Sequence, residues 1–217
     1  MADKSSDVPR HVVAQPRQLV IAHNRLSRLG GHSRAEPYFA GLGSPSVGAV
    51  TNQFRTLLLM RHAKSDYPTG VGDHQRPLAA RGEREAALAG DWLRAHAPSV
   101  DAVLCSSATR TRETLERTRI DAPVNYVDRL YDATPTAVIS EINGVDPDVE
   151  TLLVIGHEPA MSSVALGLAT ADGSNTTAAE RISTKFPTSA IAVLRTGEPW
   201  DQLALGGAAL VNFHVPR

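Results

Sequence analysis

The chain of 217 residues contains a single cysteine, Cys105, and no long apolar run. One cysteine excludes a disulfide framework and is typical of a reducing compartment, so we expect a cytoplasmic protein. No segment approaches the roughly 20 apolar residues that span a bilayer, and no apolar stretch of a secretory signal follows the first charges. The formal net charge of −1 gives no general attraction to nucleic acid. We therefore predict neither a membrane nor a nucleic-acid partner.

Patterns for metal and cysteine chemistry are incomplete. Cys105 lies five positions before Arg110, whereas cysteine phosphatases place an arginine six positions after the nucleophile. We therefore interpret Cys105 as a small buried residue at a strand end. His157 and Glu158 begin like a zinc-protease helix, but Pro159 interrupts it and position 161 is methionine rather than histidine. With no other cluster at metal-ligand spacing, the sequence predicts no metal and no other cofactor.

Three short apolar runs each end in residues that suit phosphate chemistry. Residues 57–60 lead into Arg61 and His62, residues 102–105 precede a serine-rich turn with Arg110, and residues 151–155 lead into His157. Such runs are typical of central strands in an α/β sheet, whose ligands bind at the carboxyl ends of the strands. A helix beginning near Arg110 would add free backbone N–H groups. We therefore expect these four side chains to converge on one pocket.

Strands and helices alternate after about residue 52. Predicted strands cover 56–61, 102–105, 124–127, 151–155, 190–195 and 208–214, and predicted helices cover 80–95, 109–117, 134–142 and 159–168. This order predicts a three-layer α/β/α sandwich with a central, mostly parallel sheet. Residues 1–52 lack sustained periodicity, so we interpret them as a disordered or irregular N-terminal extension of a domain covering 53–217. A transit peptide and a downstream translation start are alternatives for that segment.

These motifs together resemble the histidine phosphatase superfamily, in the form of the small SixA-type phosphohistidine phosphatases, with a phosphoglycerate mutase-like fold. Five pieces occur in the family's order: Arg61-His62-Ala63-Lys64-Ser65, Arg76-Pro77-Leu78 with Gly82, Ser106 to Thr114, Gly156-His157-Glu158-Pro159, and Thr188-Ser189-Ala190-Ile191-Ala192. The resemblance covers roughly residues 54–217 and implies a phosphatase.

The resemblance implies that His62 is a nucleophile that becomes phosphorylated, and that Arg61, Arg110 and His157 bind the phosphoryl oxygens. The chemistry agrees, because a phosphoryl group in transfer spreads negative charge over oxygens that positioned cations stabilise. For His62 to attack, one ring nitrogen must be unprotonated while an acceptor holds the proton of the other. The sequence does not identify that acceptor.

The substrate and the general acid stay open at this stage. We expect dephosphorylation of phosphohistidine in proteins; the alternatives are a small-molecule phosphomonoester phosphatase, a phosphoglycerate-mutase-type transferase and a non-catalytic phosphate-binding module. Four carboxylates are candidates for the general acid: Glu83, Asp132, Glu158 and Asp66. Lys64 and Arg76 could contact an acidic partner at the pocket rim, or be solvated charges. The sequence leaves the oligomeric state open.

The other histidines carry no predicted role. We expect them to be solvated, with His74 alone close to a motif loop. They are His11, His23, His32, His74, His96 and His214.

Overall fold

Six strands form one sheet in the computed structural model, which describes residues 54–217. The strands are β1 (Arg55–Arg61), β2 (Ala102–Ser106), β3 (Val124–Val127), β4 (Thr151–Gly156), β5 (Ile191–Thr196) and β6 (Ala209–His214). The helices are α1 (Ala80–His96), α2 (Thr109–Thr118), α3 (Pro135–Asn143), α4 (Ala160–Leu168) and α5 (Thr176–Thr184). All ten predicted elements are present, with small shifts at their ends.

The sheet is mostly parallel, as predicted. Its strand order is β3-β2-β4-β1-β5-β6; the first four strands run parallel, and β5 is antiparallel to both β1 and β6. Because β1, β2 and β4 are adjacent and parallel, their carboxyl ends lie at one edge of the sheet. The residues that follow these three strands are therefore brought together.

Helices cover both faces of the sheet, which explains why β1 is apolar without alternation. Leu57 and Leu59 pack in the core that includes residues of α3, α4 and α5. Leu58 and Met60 point the other way, into the core formed with α1 and α2. All four side chains are fully buried. The two cores give the predicted three-layer α/β/α sandwich.

Helix α1 approaches α2 through small residues rather than through the larger apolar ones. A Cβ atom on Gly90 would lie 2.1 Å from the carbonyl oxygen of Thr118, so only glycine fits at this contact. The four-residue spacing of Leu88 and Trp92 predicts that both lie on the apolar side of α1, but Leu88 is 44% exposed. Trp92 is half-buried between the rings of His96 and His214, at centroid distances of 5.2 and 4.4 Å. His214 is therefore stacked rather than freely solvated.

Helix α5 is not predicted from the sequence, because its threonines and serine are weak helix formers and favour turns. The Asn175 side chain caps it by accepting from the Ala178 backbone N–H at 3.0 Å.

Cys105 is fully buried, as expected, and burial raises the pKa of its thiol to about 12.

The predicted N-terminal extension of residues 1–52, and its boundary with the domain, lie outside the described residues. Within residues 54–217, no helix is both long and apolar enough to cross a membrane.

Candidate active site

The four predicted site residues meet at the carboxyl edge of the sheet. Arg61 ends β1 and His62 follows it, Arg110 lies in the first turn of α2, and His157 follows β4. The ring centroids of His62 and His157 are 5.0 Å apart. His62, Arg110 and His157 are all at least nine-tenths buried. The structure therefore brings together all of the side chains that the sequence selects.

His62 is held in one tautomer by the carbonyl group of the next residue. Its Nδ1 lies 2.7 Å from the carbonyl oxygen of Ala63. A carbonyl can only accept, so Nδ1 carries the proton and the lone pair of the neutral ring is on Nε2. Thr114 of α2 fixes this turn, because its Oγ1 accepts the Ala63 backbone N–H at 2.9 Å.

The charge state of the His62 ring supports nucleophilic chemistry. Burial lowers its pKa to about 3, and His157, Arg110 and Arg61 act in the same direction. A protonated imidazole would have no lone pair to donate, so this low pKa keeps Nε2 unprotonated across the neutral range. The hydrogen bond to Ala63 opposes the shift, which makes burial the decisive cause.

His157 has one ring nitrogen bound and one without a partner. Its Nε2 lies 2.9 Å from Oγ of Ser106, and its Nδ1 is buried with no hydrogen-bond partner among the described residues. Burial and then Arg110 lower the pKa of this ring to about 4. The serine-rich turn before Arg110 offers Ser106 or Ser107 as a cap for α2, but the residue before the helix is Ala108, and no side chain caps it. The Ser106 hydroxyl orients His157 instead.

Arg61 also keeps an unsatisfied donor. Its Nη1 donates to the carbonyl oxygen of Phe186 at 2.7 Å, whereas its buried Nε has no partner among the described residues. Ser189, from the last of the five sequence motifs, pins the chain beside it: the Ser189 backbone N–H is shared between the carbonyl oxygens of Arg61 and His62. Arg61 Nε and His157 Nδ1 are thus two buried polar groups that a ligand can satisfy.

Arg110 is held by a residue that sequence reasoning missed. Its Nη1 donates to the Asp73 carbonyl oxygen at 2.6 Å, and its Nη2 to the Asp73 carboxylate at 3.0 Å. The same carboxylate accepts from the Tyr131 hydroxyl at 2.8 Å and from Arg76 at 2.6 Å. These contacts hold the pKa of Asp73 well below its usual range, the Tyr131 hydrogen bond most of all. Asp73 and Arg110 lie 37 positions apart, so no local pattern in the sequence joins them.

Two expectations about nearby residues are wrong. His74 is half-buried rather than solvated: its Nε2 lies 3.2 Å from Oγ of Ser107, and its ring packs edge-on against Tyr131. Arg76 is neither a free rim residue nor a solvated charge. Its side chain is 13% exposed, bonded to Asp73 and Ser65, and stacked on the Tyr67 ring.

A cavity of about 220 Å³ opens beside Arg110 and His157, and two of the four general-acid candidates line it. Asp132 and Glu158 line it, together with Asp73, Tyr131, Ala133, Pro159 and Ala160. Glu83 instead pairs with Arg117 at 3.2 Å, and the Asp66 carboxylate accepts the Tyr67 backbone N–H. Two candidates therefore lie at the cavity and two are engaged elsewhere. Among residues 54–217, no group of three or more histidine, cysteine or acidic residues is arranged to hold a metal ion.

The His62 tautomer gives a direct spectroscopic prediction. Since burial lowers its pKa to about 3, the ring should stay neutral and protonated on Nδ1 from pH 8 down to about pH 5, where an ordinary histidine is mostly protonated. Ring ¹⁵N chemical shifts followed by NMR across this range would measure it. A titration midpoint near 6.5 would contradict the assignment.

A second prediction concerns Asp73. The substitution Asp73→Asn removes the negative charge beside Arg110 but leaves the main-chain anchor in place, so inorganic phosphate should bind about fivefold tighter, or about 1 kcal/mol. Calorimetry against wild type would measure this. Asp91→Asn is the matched control, since Asp91 pairs with Arg94 on α1 at 2.6 Å. Weaker phosphate binding would mean that the carboxylate serves mainly to align Arg110.

Known proteins share both the sequence and the fold. The sequence-family model of the histidine phosphatase superfamily (branch 1) matches residues 57–134. An uncharacterized protein of Mycobacterium tuberculosis is 62% identical over 158 residues, which are 73% of this chain and all of that protein.

Solved structures agree with these matches. A Nakamurella multipartitia protein, assigned as the phosphohistidine phosphatase SixA, is 40% identical with a TM-score of 0.69; the match covers 75% of this chain and 96% of that one. An Agrobacterium tumefaciens protein with the same assignment is 26% identical with a TM-score of 0.62, over 75% and 99% of the two chains. The chain belongs to the histidine phosphatase superfamily.

Proposed function

We propose that the protein is a phosphatase that works through a phosphohistidine intermediate on His62, and that it removes phosphoryl groups from phosphohistidine in a partner protein. The observation that carries the proposal is the fixed tautomer of His62. Its Nδ1 proton is engaged by the Ala63 carbonyl at 2.7 Å, which leaves the lone pair on Nε2. Family membership and the assignments of the two SixA neighbours support the reaction class.

In the proposed reaction, Nε2 of His62 attacks the phosphorus atom of the substrate. The bond from phosphorus to the leaving group breaks, the leaving group takes the electron pair and a proton from solvent, and a phosphoryl group remains on Nε2. Water then attacks the same phosphorus atom and gives up a proton to solvent. The P–N bond breaks, its electron pair returns to Nε2, and inorganic phosphate is released. The covalent intermediate divides one difficult hydrolysis into two easier steps.

Arg61, Arg110 and His157 would stabilise the phosphoryl group during both steps. Arg61 Nε and His157 Nδ1 are buried and unpartnered among the described residues, so phosphoryl oxygens would satisfy them. Arg110 is anchored through both terminal nitrogens by Asp73, which fixes its plane before the substrate arrives. Donors held in place in advance cost no reorganisation when charge develops in the transition state.

A phosphohistidine substrate suits this site because its leaving group is an imidazole, which protonates readily near neutral pH. Such a substrate needs little help from a strong general acid. The second candidate is hydrolysis of small phosphomonoesters, whose oxygen leaving group does need a proton. Asp132 and Glu158 support keeping this alternative, because both line the cavity beside His157 and a carboxyl group there would supply that proton.

The proposal predicts that His62→Ala abolishes turnover. Loss of a nucleophile normally costs several orders of magnitude in rate, so hydrolysis of p-nitrophenyl phosphate should fall by at least about a thousandfold. His96→Ala, which removes an exposed histidine of α1, is the control and should keep full activity. Retention of more than about a tenth of the wild-type rate by His62→Ala, with an unchanged melting temperature, would reject His62 as the nucleophile.

A further inference from the structure

The cavity beside the proposed phosphoryl site has an acidic lining. Three carboxylates (Asp73, Asp132 and Glu158) line it, against one cation, Arg110. The charge of Arg110 is already offset by Asp73, which pairs with it at 3.0 Å. The same cavity contains His157, whose buried Nδ1 has no partner among the described residues and so points to a ligand there. Asp73 also pairs with Arg76 at 2.6 Å, so the two lining carboxylates without a salt bridge to a described residue are Asp132 and Glu158, and a phosphorylated substrate in the cavity places its remaining atoms beside them.

We propose that Asp132 and Glu158 select substrates by charge, so that the protein prefers a phosphorylated segment of a partner protein with lysine or arginine next to the phosphorylated residue. This inference rests on the proposed function and adds the chemistry of the partner to it. The two carboxylates act as specificity-determining residues, because they contact what flanks the phosphoryl group rather than the group itself.

Asp132 is available for such contacts. It is exposed at the cavity and makes no hydrogen bond or ion pair with another residue that the structure describes. Its backbone is left-handed, with a φ of 52°. Aspartate and asparagine adopt this conformation more readily than most residues, so the side chain is presented at the cavity by a turn that Asp132→Asn leaves unstrained.

Glu158 is fixed in position by two neutral donors. Its two carboxylate oxygens accept from the backbone N–H and the hydroxyl of Ser162, at 3.1 and 2.6 Å. Both donors are neutral, and Glu158 forms no salt bridge with the described residues. The result is a carboxylate held rigidly beside His157 without a salt bridge inside residues 54–217, and the nearby Arg61 guanidinium is the cation that interacts with its charge.

The opposite choice, an acidic partner, keeps only one of the two cations expected at the rim. Lys64 is exposed, with its Nζ 5.4 Å from the centre of the Tyr67 ring. Arg76 is bonded to Asp73 and Ser65 and lies 3.4 Å from the centre of the Tyr67 ring, so it is not free to bind another chain. A substrate with carboxylates near its phosphoryl group would meet like charges at Asp132 and Glu158, and like charges in close contact disfavour binding.

The test compares two peptides that are identical except at the positions flanking a non-hydrolysable phosphonate analogue of the phosphorylated residue. One carries lysine on both sides and the other carries glutamate. At low salt, calorimetry should show that the wild-type protein binds the lysine peptide about tenfold tighter, the combined effect of one charge pair at exposed Asp132 and one at half-buried Glu158. In 0.5 M salt the preference should shrink, since exposed charges are then screened.

Substitutions test whether Asp132 and Glu158 cause the preference for the lysine peptide. Asp132→Asn should lower the ratio to about threefold, and the double variant Asp132→Asn with Glu158→Gln should bring it close to one. Asp201→Asn is the matched control and should keep the wild-type ratio. Asp201 follows Trp200, whose indole donates to the Val149 carbonyl just before β4 begins, so it lies at the sheet edge opposite to His157. Equal binding of the two peptides by wild type, or an undiminished ratio in the double variant, would overturn the proposal.

Binding separates this inference from the proposed function, because it requires no turnover. A tenfold preference without hydrolysis of any phosphorylated peptide would support charge selection and reject the phosphatase. Hydrolysis of lysine-flanked and glutamate-flanked phosphopeptides at the same kcat/KM would support the phosphatase and reject charge selection. If Asp132→Asn instead lowers kcat equally on both peptides and leaves their ratio unchanged, Asp132 is a proton donor and not a specificity residue.

Discussion

The hydrogen bond from His62 Nδ1 to the Ala63 carbonyl oxygen, 2.7 Å long, is the contact on which the rest of the site depends. It decides which nitrogen carries the proton, and so which nitrogen can attack. The turn that presents the carbonyl is held by Thr114 of α2 and by the backbone of Ser189. The proposed nucleophile is therefore oriented by elements from both sides of β1, and not by its own strand alone.

Positive charge at the site is partly offset in the free protein. Burial lowers the pKa of both histidines, to about 3 and about 4, so neither adds a cation in the free protein. Asp73 offsets the charge of Arg110 and also aligns its guanidinium through two hydrogen bonds. A site with weaker net attraction for a dianion releases inorganic phosphate more easily. Substrate binding then depends more on the residues that flank the phosphoryl group, and Asp132 and Glu158 line the cavity that would receive them.

The strands, most helices and the convergence of four site residues follow from the sequence, because buried parallel strands are continuous apolar runs and their carboxyl ends share one edge. Asp73 and Tyr131 could not be predicted: they lie 58 positions apart and meet Arg110 only through tertiary packing. The Ala63 acceptor is a backbone group, so no residue type signals it. Leu88 shows the converse failure: its spacing from Trp92 predicts a buried side chain, but mostly small residues form the packing face of α1.

The central claim, covalent catalysis on Nε2 of His62, is tested most directly by trapping the intermediate. Rapid quenching of the protein during turnover of a ³²P-labelled substrate should yield a phosphoprotein that is labile in acid and stable in alkali, the behaviour of a P–N bond. Peptide mapping should place the label on His62, and ³¹P NMR should place it on Nε2. A label on another residue, an acid-stable ester, or turnover with no labelled protein under single-turnover conditions would contradict the account.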